Sequence, residues 1–255
     1  MNYESTIKHY FETLGYHVEK IPEGKLKSPD YLITDNHSIF ILELKTKFPR
    51  PEEIRNRDQV LTSGKIFKID EEIERKNILS GIIRKAGKQL HQSDEKNYIR
   101  IVWLSSTDYL AELRMEQFVA SLYGLTTIVY TQEKDKATVC YFFHNSDFFM
   151  NRFSIDGAIV STESQAKLLL NPLSPRYQNL KQSSLPQHFA NDLVDPIELE
   201  KAGKAFIVDS DINRSDIDSL LHYLCEKYKI ENAKNLPMHF LSGTKTIPDT
   251  LGRSY

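Results

Sequence analysis

The stretch "SPDYLITDNHSIFILELKTK", residues 28–47, constrains this chain more than any other. Two apolar runs flank a polar turn, the pattern of a β-hairpin. Side chains along a strand alternate between faces. In "SIFILELKTK", Ile39, Ile41, Glu43 and Lys45 therefore share one face, and Phe40, Leu42 and Leu44 share the other. A two-residue turn centred on Asn36 and His37 sets the pairing, because Asn tolerates positive φ. That register opposes Thr34 to Ile39, Tyr31 to Leu42 and Asp30 to Glu43. Directly opposed residues point to the same face. Asp30, Glu43 and Lys45 then converge at one end of one face.

Two close carboxylates repel unless something compensates. Lys45 compensates in part. A divalent cation does so better, and hard oxygen ligands with open water positions suit Mg²⁺ or Mn²⁺. Such a cation lowers the pKa of bound water and shields phosphate charge. An adjacent ammonium orients water or stabilises developing negative charge. The same three residues also suit a solvated sheet end carrying a salt bridge.

The chain of 255 residues is long enough for one large domain, or for a domain plus an extension. Charged residues make up 27% and hydrophobic ones 40%, as in an ordinary globular protein. No apolar run approaches the roughly 18 residues of a membrane span. The opening "MNYESTIKHYFETLGY" carries acids and does not read as a secretory signal. Two distant cysteines, Cys140 and Cys225, do not make a disulfide framework and point to a reducing cytoplasm. A net charge of −2 means that any nucleic acid must be held by a local basic patch, not by bulk charge.

Helical spacing of Ile7, Tyr10, Phe11 and Leu14 predicts a helix over residues 2–14, stopped by Gly15. Strands are expected at 16–21, in the hairpin, and at 98–106. A charged excursion runs from Phe48 to about Glu74, and a helix follows it to Gln92. Another helix should end at Gly124, with strands "LTTIVYT" and "ATVCYFF" after it. The stretch "NPLSPRYQNLKQSSLPQHF" (171–189) reads as a long surface connection. A strand in "KAFIVDSDI" and a helix in "SDIDSLLHYLCEKY", with Ser215 as N-cap, come next. The last stretch, around Pro237 and Pro248, reads as irregular.

"PD" at Pro29–Asp30 and "ELK" at Glu43–Lys45, in this order of elements, resemble the PD-(D/E)xK nuclease superfamily. The resemblance implies a restriction-endonuclease-like fold: an α/β protein with an α-β-β-β-α-β core and a mixed central sheet. It covers about residues 1–130. We place the nuclease-like domain at 1–160 and a C-terminal α/β extension, serving specificity or assembly, at 161–255. The resemblance implies Asp30 and Glu43 as metal ligands, with the Leu44 carbonyl, and Lys45 as the residue that positions water. It also implies a Glu on the first helix, best matched by Glu4 with Glu12 as the alternative. A Gln or Lys on the helix after the ExK strand is matched by Gln89, with Lys85 and Lys88 beside it.

The implied activity is Mg²⁺- or Mn²⁺-dependent hydrolysis of phosphodiester bonds, with DNA as the expected polymer. Candidate phosphate contacts are Lys47, Arg50, Arg55, Arg57, Lys85 and Lys88. A second copy of the chain or a defence-system protein is a further candidate partner, and no membrane is expected. The alternative is a catalytically inactive member of the fold that binds nucleic acid or assembles with protein. The histidines and cysteines lack zinc spacings, and P-loop, dinucleotide and nucleophile-elbow motifs are absent. The pair Asp209 and Asp211 suits a helix cap or loop better than a metal site.

Overall fold

The computed structural model describes residues 3–22, 28–92, 97–107, 109–132, 134–236 and 242–247. The chain begins with helix α1 (Tyr3–Thr13) and strands β1 (His17–Lys20), β2 (Tyr31–Thr34) and β3 (Ile39–Lys47). The excursion that follows contains helix α2 (Pro51–Thr62) and strand β4 (Phe67–Glu72). Then come α3 (Asn77–His91), β5 (Ile99–Ser106), α4 (Ala111–Tyr123), β6 (Thr126–Gln132), β7 (Lys134–Tyr141) and α5 (Asp147–Met150). Strands β8 (Gly157–Ser161) and β9 (Ala166–Leu170), helix α6 (Tyr177–Gln182), strand β10 (Leu193–Val194) and helix α7 (Pro196–Lys201) follow. The described chain ends with β11 (Ala205–Ile207), α8 (Ile217–Tyr228), β12 (Glu231–Leu236) and β13 (Ser242–Ile247).

This is an α/β fold with a mixed central sheet of seven strands, in the order β1-β2-β3-β5-β8-β9-β10. The first three form an antiparallel meander, and β3, β5 and β8 run parallel. Residue 160 lies inside β8, and residues 157–194 supply the last three strands of this sheet. A second sheet, β11-β7-β6-β12, draws on residues 126–141 and 205–236. Strands β4 and β13 pair with each other.

The hairpin has the expected register: Tyr31 opposes Leu42 and Thr34 opposes Ile39. Its turn works differently from expectation. Asn36 is not among the non-glycine residues with positive φ. Instead the Asp35 carboxylate accepts the backbone N–H groups of His37 (2.7 Å) and Ser38 (2.6 Å). An Asp side chain that mimics a backbone acceptor closes the turn without a left-handed residue.

Helices cover both faces of the central sheet. Ile41, Val102 and Leu104 pack under α3 and α4, through Leu79, Ile83, Ala86, Leu90 and Phe118. Phe40, Leu42 and Trp103 pack under α1, through Ile7 and Phe11. This two-sided cover explains why every residue of β5 is buried. Its one charged member, Arg100, hands its backbone N–H to Asp156 (2.8 Å) and its guanidinium to the Phe153 carbonyl (2.8 Å).

The stretch 171–189 corrects the sequence reading. It forms α6 and a 3-10 turn (Leu185–Phe189), and Tyr177, Leu180, Leu185 and Phe189 are buried in the α1-side core. Four apolar side chains spread among Pro, Ser and Gln carry no helical or strand period, so composition hid a core segment. The N-cap of α8 is Asp216, whose carboxylate accepts the Ser219 N–H at 3.1 Å, and not Ser215. Pro237 and Pro248 lie outside the described residues, while 242–247 between them is strand β13.

Two glycines separate backbone need from convenience. Gly124 ends α4 at φ +61°, and an added Cβ would lie 2.3 Å from the His144 carbonyl oxygen. Gly81, inside α3, faces open space. Gly124→Ala is expected to destabilise the protein by at least about 2 kcal/mol. Gly81→Ala is expected to stabilise it by up to about 1 kcal/mol. Urea unfolding of both variants measures the contrast.

Candidate active site

The odd-numbered face of β3 runs from core to rim. Ile41 is in the core under α3, Glu43 has no exposed surface, and the Lys45 side chain is 26% exposed. The Lys45 ammonium donates to Glu43 Oε1 and, at 2.9 Å, to Gln89 Oε1. Gln89 sits beside the apolar stripe of α3 and also donates to the Ser28 carbonyl at 3.3 Å. One amide therefore ties the helix, the lysine and the segment entering β2.

Asp30 stands where β2 stops pairing. Its N–H donates to the Leu42 carbonyl (3.0 Å), and its Oδ2 accepts the Leu44 N–H (2.6 Å). The carboxylate thus replaces a missing strand neighbour. The N–H and C=O of one strand residue point to the same edge, so the Leu44 carbonyl also faces the space beyond β2.

Glu43 is electrostatically uncomfortable. Burial first, and then the Asp30 carboxylate, push its carboxyl up to about 7 against the opposing pull of Lys45. Its Oε2 is buried with no hydrogen-bond partner among the described residues. Two oxygen-bearing acids, a spare buried carboxylate oxygen and a nearby carbonyl form a donor set that fits a hard divalent cation. Among the described residues, no group of three or more His, Cys, Asp or Glu side chains is arranged to hold a metal.

Glu4 is ion-paired with a lysine that also feels the Asp30 charge. Helix α1 covers the opposite face of the sheet, and the Glu4 carboxylate pairs with Lys20 at 2.5 Å. Glu12 pairs with Lys8 at 3.7 Å. Lys20 is the residue that sequence reasoning passed over. It opposes Tyr31, next to Asp30, and its pKa is raised by Glu4 first and more weakly by Asp30. Extending the meander register to β1 would have found it.

The six candidate phosphate contacts divide. Arg50 bonds Glu53 (2.9 Å), Arg57 bonds Asp58 (2.7 Å), and Lys47 reaches the Phe48 carbonyl (2.9 Å). Arg55, Lys85 and Lys88 are exposed. The Asp209 carboxylate is taken up by Tyr223 and Lys227. Comparison with protein-family models, with curated proteins and with solved structures found no match for this chain.

The Glu43 shift has a signed consequence. Between about pH 4.5, the ordinary value, and about 7, the folded protein keeps a proton that the unfolded chain releases. Stability from this group is therefore full below that window and falls as pH rises through it. Glu43→Gln is expected to flatten that slope and to be more stable above pH 7, by on the order of 2 kcal/mol. Denaturant unfolding across this pH range, without divalent ions, checks both.

Proposed function

We propose that the protein is a metal-dependent nuclease that hydrolyses phosphodiester bonds, with DNA as its substrate. The observation that carries this reading is the buried Glu43 carboxylate beside Asp30, with Lys45 held at the rim by Gln89. The β1-β2-β3 meander, the α3 crossover and the parallel β5 support a restriction-endonuclease-like core.

Asp30, Glu43 and the Leu44 carbonyl would hold Mg²⁺ or Mn²⁺, which when bound supplies Lewis acidity and a more acidic water. The remaining chemistry belongs to the chain. The Leu44 N–H locks the Asp30 carboxylate in one orientation. Gln89 holds the Lys45 ammonium toward the open side of the site. There it can orient water and offset charge on a phosphate oxygen. Arg55, Lys85 and Lys88 supply exposed cations for the polymer backbone.

The purified protein is expected to cut DNA with Mg²⁺ or Mn²⁺ and not with EDTA. Asp30→Asn should lose cation binding and cleavage together while keeping its fold, since Asn can still accept the Leu44 N–H. Lys45→Ala should keep the cation and lose cleavage by at least about a hundredfold. Assays on single-stranded, double-stranded and branched DNA and on RNA measure this. Equal cleavage by wild type and Asp30→Asn would contradict the proposal. Nucleic-acid binding without cleavage or cation binding would favour the inactive binding module.

Binding should also weaken steeply with salt. Neutralising Arg55, Lys85 and Lys88 together should reduce the slope of log affinity against log salt by about 2–3 on duplex DNA. Neutralising Arg50 and Arg57 should do less, because acids already hold them.

A further inference from the structure

On the α1 side of the central sheet lies a cavity of about 870 Å³, in the range of small-molecule sites. It opens where the parallel strands β5 and β8 end, the place where open α/β sheets bind ligands. Four elements build it: one face of α1, the end of β5, the β8–β9 turn, and the loop from the 3-10 turn to β10. It is separate from the Asp30–Glu43 site, since Leu44 and Trp103 share one sheet face and Glu43 and Val102 the other.

The lining selects a chemistry. Among the described residues, no Lys or Arg lines it, and Glu163 and Asp192 put two carboxylates on its walls. A phosphate therefore meets no lysine or arginine among the described residues, with His188 the one basic side chain on the walls. Seven of the nineteen lining residues are Ser or Thr, and Gln165, Gln187 and Asn191 add amides that donate and accept. Tyr10 and Trp103, packed edge to face at 5.5 Å, give an aromatic wall. The floor is pre-arranged: Trp103 Nε1 donates to Ser161 Oγ at 2.7 Å, and the Ser105 and Ser161 hydroxyls lie 3.0 Å apart.

We propose that this cavity binds an uncharged, polyhydroxylated sugar ring, either in a free saccharide or as the ribose of a nucleoside. Hydroxyl groups of the ring meet the carboxylates, amides and serines, and its apolar face meets the aromatic wall.

The test is calorimetric titration of the full chain with four nucleosides, their 5′-monophosphates, and neutral disaccharides. At least one neutral compound is expected to bind with a Kd below about 1 mM, and a 5′-monophosphate at least about tenfold more weakly than its nucleoside. Binding by nucleosides alone or by disaccharides alone supports the proposal and names the source of the ring. Asp192→Asn, at an exposed position, and Ser105→Val, in the floor, should each weaken binding about tenfold. Lys45→Ala should leave it unchanged, which separates this site from the proposed nuclease. The proposal is overturned if no neutral compound binds at millimolar concentration, if monophosphates bind as tightly as nucleosides, or if both variants bind like wild type.

Discussion

A carboxylate with no exposed surface, on a strand face otherwise given to isoleucine and helix packing, is the constraint that orders this protein. A buried charge costs several kcal/mol unless it is paired. Glu43 meets that cost with Lys45 on one oxygen only, and the Asp30 carboxylate adds to it. The rest of the neighbourhood is arranged around this imbalance. Leu79, Ile83, Ala86 and Leu90 dock α3 onto the sheet, and that docking brings Gln89 to the lysine. Asp30 is pinned in turn by the Leu44 N–H, so neither acid can turn away from the other without losing a hydrogen bond. A divalent cation held between the two carboxylates is the partner we propose for this pair.

The part of the site that was legible in the sequence is the part governed by a period of two. Ile39, Ile41, Glu43 and Lys45 fall on one face whatever surrounds them, and the two apolar runs admit one register. Gln89 was reachable through the resemblance and stands where the α3 stripe puts it. What failed had no period behind it. The turn falls at Asn36 and His37 as read, but the Asp35 carboxylate closes it in place of a left-handed Asn36. Glu4 was matched by helix position alone, and what that reading missed is Lys20, which β1 brings to it. The segment 171–189 hid its buried side chains because irregular core has no signature beyond burial itself.

The excursion after β3 shows how charge counts mislead in the same way. Its arginines read as a basic patch, yet Glu53 serves Arg50 and also Arg114 on α4, at 3.2 Å. Gln117 of α4 holds Glu71 and the Glu72 carbonyl. These contacts fasten the excursion to the core and remove part of its charge from use. Of the candidate phosphate contacts, those left exposed are Arg55 on α2 and Lys85 and Lys88 on α3. Among the described residues, no Lys or Arg lines the cavity on the opposite side of the sheet, so the two faces offer different chemistry at the same strand ends.

The proposed nuclease requires that Asp30 and Glu43 together hold a divalent cation. Mn²⁺ titration by calorimetry near pH 6.5, repeated in buffers of different ionisation enthalpy, tests it most directly. A cation that takes Glu43 must displace the proton its raised pKa retains. Binding is expected at millimolar Mn²⁺ or tighter, with release of roughly half a proton or more, and Glu43→Gln is expected to abolish both. No binding at millimolar Mn²⁺, or binding that releases no proton and survives Glu43→Gln, would contradict it.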